Sequence, residues 1–255
     1  MTENRHKAGT SGVIIVRGAG DLATGVIVRL RRSGYAVAAL ETGRPTAIRR
    51  TVSMSECVYD GSITVEGIRA VLVHGEEELL AAISPTTVPV LVDPDGTSLP
   101  TIRPAAVVDA IIAKKNMGTH MGMAPVVIAL GPGFVAGVDA HAVVETVRGH
   151  DLGRVILEGP AAADTRTPGI IAGYGVERVV RSPIAGIVEP LRELGDLVEI
   201  GEPILRVVDG NDGATVVSPL PGKIRGMIRP GMPVTPGVKI ADVDPRGAKV
   251  DEKTI

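Results

Sequence analysis

The sequence predicts an α/β protein in which a doubly wound parallel sheet is followed by a small all-β unit. Three observations carry that expectation. Aliphatic runs alternate with helix-like segments from Val13 to about residue 157. After about Gly175 the helical periods vanish, and Pro and Gly punctuate short β-type runs. This second region also repeats itself at an offset of 36 residues, 182 to 218. Strands alternating with helices imply a parallel sheet covered on both faces.

The elements follow in order. Residues 1–11 are polar and read as a disordered tail, which leaves 12–177 for the first domain, 178–245 for the second and 246–255 for a terminal tail. Val13–Val16 is a short buried strand. Gly18–Gly20 turns the chain, and Asp21 is placed to cap a helix running to about Ser33, which Gly34 ends. Tyr35–Leu40 is the second strand, and 42–67 is irregular. Ala70–Val73 reads as strand, Glu76–Ile83 as helix and Val88–Val92 as strand. Pro104 suits the first turn of a helix to about Lys115, apolar nearly all round and therefore buried. Val126–Leu130 reads as strand, Asp139–Arg148 as helix and Val155–Leu157 as strand.

Composition narrows the function. Of 255 residues 44% are hydrophobic but only 2% aromatic, so the core is aliphatic. A net charge of −2 provides no broad basic field, and few aromatic planes are present for stacking bases, so nucleic acid is not an expected partner. The single cysteine, Cys57, excludes an internal disulfide and a Cys-based zinc site, and the five histidines show no ligand spacing. No metal site is expected. No apolar run of membrane-spanning length and no signal-type N-terminus occur, so a cytoplasmic protein without membrane association is expected.

The sharpest local motif is VIIVRGAGDLATG at 13–25: a strand, then GxGxxA, then a helix. This is the dinucleotide-binding pattern of Rossmann-like domains with Ala in the third glycine place. Gly18 permits the tight turn, Gly20 lets backbone approach a pyrophosphate, and Ala23 keeps the helix close to the sheet. Asp21 and Thr24 belong to the same first turn; Asp21 either repels phosphate or serves as a cap, a ribose contact or a metal contact. Glu41 ends the second strand, where a ribose-binding acid is expected. The following loop, GRPTAIRRTVS, carries Arg44, Arg49 and Arg50, whose guanidinium forks suit phosphate or carboxylate, or else form a solvated basic loop. These nine residues are the candidate ligand-binding set; no catalytic residue is assigned.

Other loops fall on the same strand-end side: KKNMGTHMG at 114–122, LGPGFVAG at 130–137 and DTRTPG at 164–169. His120 is either catalytic or simply packed. Cys57 is either a carrier of persulfide or selenide beside an anion site or a small buried hydrophobe.

In the second domain SPIAG at 182–186 matches SPLPG at 218–222, GDLVEIG matches GMPVTPG, Ile204 matches Ile240 and Val207 matches Val243. This pattern over 179–244 resembles the lipoyl/biotinyl barrel-sandwich. The resemblance places a carrier lysine at the hairpin tip, where this chain has Asn211, which has no amine to take lipoate or biotin. A docking module without a carrier lysine is expected.

RGAGDLATG, ETGRPTAIRRTVS, CVYDG, VIALGPGFVAG, RGHDLGRVI and the SPIAG repeat together resemble the accessory proteins of selenium-dependent molybdenum hydroxylases, the YqeB-type family, over about residues 12–245. The resemblance implies a maturation factor that binds a nucleotide or the molybdopterin dinucleotide form of the molybdenum cofactor and docks on an apo molybdenum hydroxylase. The alternative is an NAD(P)-dependent oxidoreductase, for which no positioned acid/base pair is visible.

Overall fold

The computed structural model describes residues 12–165, 167–210 and 212–254. The expected N-terminal tail and Asn211 lie outside the described residues.

Two units are built on separate cores. The first holds β1 (Val13–Arg17), β2 (Ala36–Glu41), β3 (Ser62–Val65), β4 (Ile68–Val73), β5 (Thr87–Val92), β6 (Ala106–Asp109), β7 (Val126–Leu130), β8 (Val135–Ala136), β9 (Ala142–Val144), β10 (Val155–Ile156) and β11 (Gly159–Pro160). Its helices are α1 (Asp21–Arg32), α2 (Cys57–Asp60), α3 (Glu76–Ala82) and α4 (Leu99–Ile102). Nine of the strands form one sheet in the order β10-β9-β7-β6-β1-β2-β5-β4-β3. The seven inner strands run parallel, and β3 and β10 close the edges antiparallel.

Alternation along β1 shows how the sheet is covered. Ile14 and Val16 face one core with Ile27 of α1, Val52 and Met54, whereas Val13 and Ile15 face another with Leu79, Leu99 and Phe134. Side chains alternate faces at a period of two, so an uninterrupted aliphatic strand demands cover on both sides. The first cover is α1 with the segment after β2; the second is α3, α4 and the β8 turn.

The doubly wound Rossmann-like fold expected from the sequence is corrected here. That fold passes a helix across the sheet between successive parallel strands. Only α1 is long, and the connections β6 to β7 and β7 to β9 contain no α-helix. The helix expected over 104–115 is instead β6 and a loop, and that expected over 139–148 contains β9. A short apolar run fits a buried strand as well as a buried helix, and insertion beside β1 selected the strand. The sheet is mixed and poor in helix.

The second unit contains β12 (Val179–Arg181), β13 (Gly186–Pro190), β14 (Leu197–Val198), β15 (Pro203–Asp209), β16 (Asp212–Val217), β17 (Gly222–Met227), β18 (Pro233–Val234) and β19 (Lys239–Asp244). They make two separate antiparallel sheets, β12-β19-β17-β14 and β16-β15-β13-β18. Val188, Ile204, Val207, Ile224, Ile240 and Val243 lie in the core they share. The sequence repeat maps onto these strands: β13 corresponds to β17, β14 to β18 and β15 to β19. β12 likewise overlaps β16 at the same offset, and each half contributes two strands to each sheet. The expected lipoyl/biotinyl-like barrel is corrected to this pair of unjoined sheets, with no strand pairing among the described residues closing them into a barrel.

The units are clasped together. Arg229 donates to Glu56 at 2.8 Å and to Asp60 at 2.9 Å, and lies 4.5 Å from the centre of the Tyr59 ring. Met227 N–H donates to the Ile48 carbonyl at 2.8 Å. No helix among the described residues is long and apolar enough to cross a membrane.

Candidate functional site

The candidate site opens beyond the carboxyl ends of β1, β2 and β6. In parallel sheets ligands bind in this position, where successive connections leave in opposite directions. Here β1 continues to β2 on one side and pairs with β6 on the other.

The turn after β1 is shaped by its first glycine. Gly18 has φ +94°, and a Cβ there would stand 3.1 Å from the Ala110 carbonyl oxygen. An L side chain is therefore opposed by both backbone conformation and space. Gly20 differs: its φ is −63°, and a Cβ would meet nothing within 4 Å. It borders a crevice of about 350 Å³ lined by Gly18, Gly20, Asp21, Leu22, Ala23 and Glu41 on one side and by Thr42, Pro45–Ala47, Ser55 and Ala110–Ile112 on the other.

Five of the nine candidates thus converge: Gly18, Gly20, Asp21, Ala23 and Glu41. The expectation that Asp21 caps α1 is corrected: Gly20 is the N-cap and no side chain caps that end. Glu41 accepts from Ala19 N–H and Thr42 N–H, both at 2.7 Å. Burial raises its pKa, against the pull of those two bonds. The Ala19 amide of the turn is therefore already occupied, whereas the first-turn amides of α1 have no intrahelical partner.

The other four candidates do not line the crevice. Thr24 is buried, donates to the Ala19 carbonyl at 3.2 Å and accepts from Met54 N–H at 2.9 Å, so it fastens the loop beneath α1. Arg44 is exposed. Arg49 lies 3.6 Å from Asp21 and donates to the Thr254 carbonyl at 2.8 Å. Arg50 donates to the Met227 carbonyl at 2.9 Å and sits 3.9 Å from Glu56. The Arg-rich loop thus serves largely as the joint between the two units.

Sequence reasoning missed Ser55 and Ile112. Ser55 is fully buried, its N–H donates to the Ala19 carbonyl at 2.8 Å, and its Oγ has no hydrogen-bond partner among the described residues. Ile112 has φ +57°, a left-handed conformation that a β-branched residue rarely adopts. Such strain persists where surrounding structure imposes it, often at ligand sites. Behind this loop, the buried Arg17 lies 3.6 Å from Asp109, with Thr119 bonded to both, and donates to the Pro94 carbonyl at 2.8 Å. No local pattern announced Ser55; its place depends on the backbone bond to Ala19.

Cys57 is buried, and burial, reinforced by the Glu41, Glu56 and Asp60 carboxylates, pushes its thiol up to about 12. It is the small hydrophobe of the two readings, because the nucleophile would be the thiolate. His120 does not line this crevice. No group of three or more His, Cys, Asp or Glu among the described residues is arranged to hold a metal ion.

The chain is 45% identical over 251 residues to a protein of Escherichia coli (strain K12) named uncharacterized protein YqeB. The match covers 98% of this chain and 46% of that protein, so the chain spans about half the length of the curated relative it matches. No family model matches. Among solved structures it is similar to an aspartoacylase family protein from Mesorhizobium loti (12% identity, TM-score 0.30, 91% of this chain and 84% of that one). It is also similar to a succinylglutamatedesuccinylase/aspartoacylase from Rhodobacter sphaeroides (11% identity, TM-score 0.31, 92% and 85%). Superpositions this loose carry no argument about activity.

The function expected from the sequence is corrected. The similar solved structures are named as aspartoacylase and desuccinylase proteins, and neither is named as a molybdenum hydroxylase maturation factor or an NAD(P)-dependent oxidoreductase. The geometry removes a main support of those readings as well, because Arg49 and Arg50 are engaged by Asp21, Glu56 and backbone carbonyls.

Proposed function

We propose that the chain is a ligand-binding protein whose crevice takes a phosphate-bearing, nucleotide-type small molecule. One observation carries the reading: the Ser55 hydroxyl is fully buried, has no partner among the described residues and stands in the crevice wall. Buried polar atoms are nearly always paired, and a ligand oxygen supplies the partner. Beside it, the open N-terminus of α1 offers amides and a partial positive charge to phosphate. Glu41 retains lone pairs for a sugar hydroxyl. Arg49 offsets the Asp21 carboxylate, which would otherwise oppose an anion. The crevice volume lies at the lower end of small-molecule sites, which suits one nucleotide.

Calorimetric titration of the full chain with ADP, GDP and pyrophosphate tests the reading. Saturable binding of a nucleotide is expected, with Ser55→Ala weakening it roughly tenfold. Its melting temperature should not fall, because an unsatisfied hydroxyl is removed. Absence of saturable binding by every probe, or equal affinity in Ser55→Ala, overturns it.

A further inference from the structure

The three loops on the strand-end side that the first crevice leaves largely unused meet at a second one. It has a volume of about 510 Å³ and its lining includes Lys114, Thr146, Arg148, Asp164 and Gly169. It opens beyond the carboxyl ends of β7 and β9, whose last residues Leu130 and Val144 are register partners. It therefore occupies the ligand-binding edge of the parallel sheet, on the far side of the loop after β6. Ile111 and Ile112 of that loop line the first crevice, and Lys114 lines the second.

Charge and construction both favour an anion. Lys114 lies 3.6 Å from Asp164. Arg148, exposed on the same lining, has no hydrogen bond or ion pair among the described residues. Space is left for it: a Cβ on Gly169 would come within 2.7 Å of Arg148 Cδ. The wall is also anchored. Glu145 is 5% exposed and accepts from the Thr146, Val147 and Ala162 amides, each at 2.7 Å, which ties the end of β9 to the segment leading to Asp164. A guanidinium fork on an anchored wall matches the paired oxygens of a carboxylate or phosphate.

We propose that this second crevice binds a small molecule through its carboxylate or phosphate group, with Arg148 as the fork and Lys114 as the second cation. The site is independent of the one assigned to a nucleotide. The probes are succinate and inorganic phosphate, titrated into the full chain by calorimetry against sodium chloride of matched ionic strength. Saturable binding of at least one is expected, and whichever binds assigns the group recognised. Arg148→Ala, an exposed truncation that removes no hydrogen bond or ion pair among the described residues, should weaken it about tenfold or more. Arg148→Lys should fall between the two. Gly20→Val, which puts a branched side chain at the edge of the first crevice, should leave this binding unchanged. Three results would each overturn the proposal: no saturable binding of either probe, unchanged affinity in Arg148→Ala, or loss of binding in Gly20→Val.

Discussion

Arg49 Nη1 stands 3.6 Å from Asp21 Oδ2, and links the first residue of α1 to the terminal segment through its bond to the Thr254 carbonyl. The pair is partly exposed and long, so it contributes at most about 1 kcal/mol to stability. Its larger effect is on ligand binding, because it neutralises a carboxylate at the mouth of the crevice. Arg49→Ala is expected to weaken nucleotide binding roughly tenfold while changing the melting temperature little. Arg49→Ala combined with Asp21→Asn should recover much of the loss. Arg50→Ala should leave affinity unchanged, since that side chain is committed to Met227 and Glu56. Calorimetry on the three variants checks the pattern, and a tenfold loss in Arg50→Ala would contradict it.

The two glycines of the turn should behave oppositely. Gly18→Ala imposes a side chain at φ +94° and against the Ala110 carbonyl, at a cost of at least about 1–2 kcal/mol. Gly20→Val places its branch in open space at an ordinary φ, so urea denaturation should find stability near that of the parent while nucleotide binding is lost. Retained binding in a folded Gly20→Val would remove α1 from the site.

Cys57 should be inert in the native protein. Its thiol is fully buried and held at about 12, so at pH 8 the thiolate fraction is negligible. Iodoacetamide should label the chain only after denaturation, as read by intact mass. Rapid stoichiometric labelling of the folded chain would reopen a sulfur-chemistry role.

Glu145 should make stability acid-sensitive. Burial alone would raise its pKa, but three backbone N–H donors outweigh that and hold it below its ordinary 4.5. The carboxylate thus contributes stability that is fully present above pH 4.5 and lost as pH falls through the lowered native value. Asp93 and Asp244 are lowered in the same sense by hydrogen bonds that outweigh burial. Denaturation midpoints should fall between pH 6 and pH 3. Glu145→Gln should be less stable at pH 6 and flatter across this range; an equal slope would show that Glu145 contributes nothing to it.

Nucleotide affinity, acid sensitivity and thiol inertness rest on features that differ in how far the sequence alone determined them. The β1–turn–α1 unit was legible because its causes are local: an aliphatic run, a glycine forced to positive φ and an amphipathic helix with basic residues in its last turn. Four crevice residues followed from that motif, and Glu41 from the end of the strand after it. The 36-residue repeat likewise announced equivalent strands. What tertiary structure decided were the non-local choices. AAVVDAIIA has no period that separates a buried helix from a buried strand, and only pairing with β1 and β7 made it β6. The repeat could not say that each half would divide its strands between the two sheets. Arginine chemistry was legible at 49 and 50, but its direction was not. Acceptors on Met227 and Thr254 come from segments 177 and 205 residues away in the chain and reach those side chains only when the two units close together, whereas Asp21 and Glu56 are brought near by folding of the first unit; a charged group turns toward whichever partner folding brings near and desolvates with it.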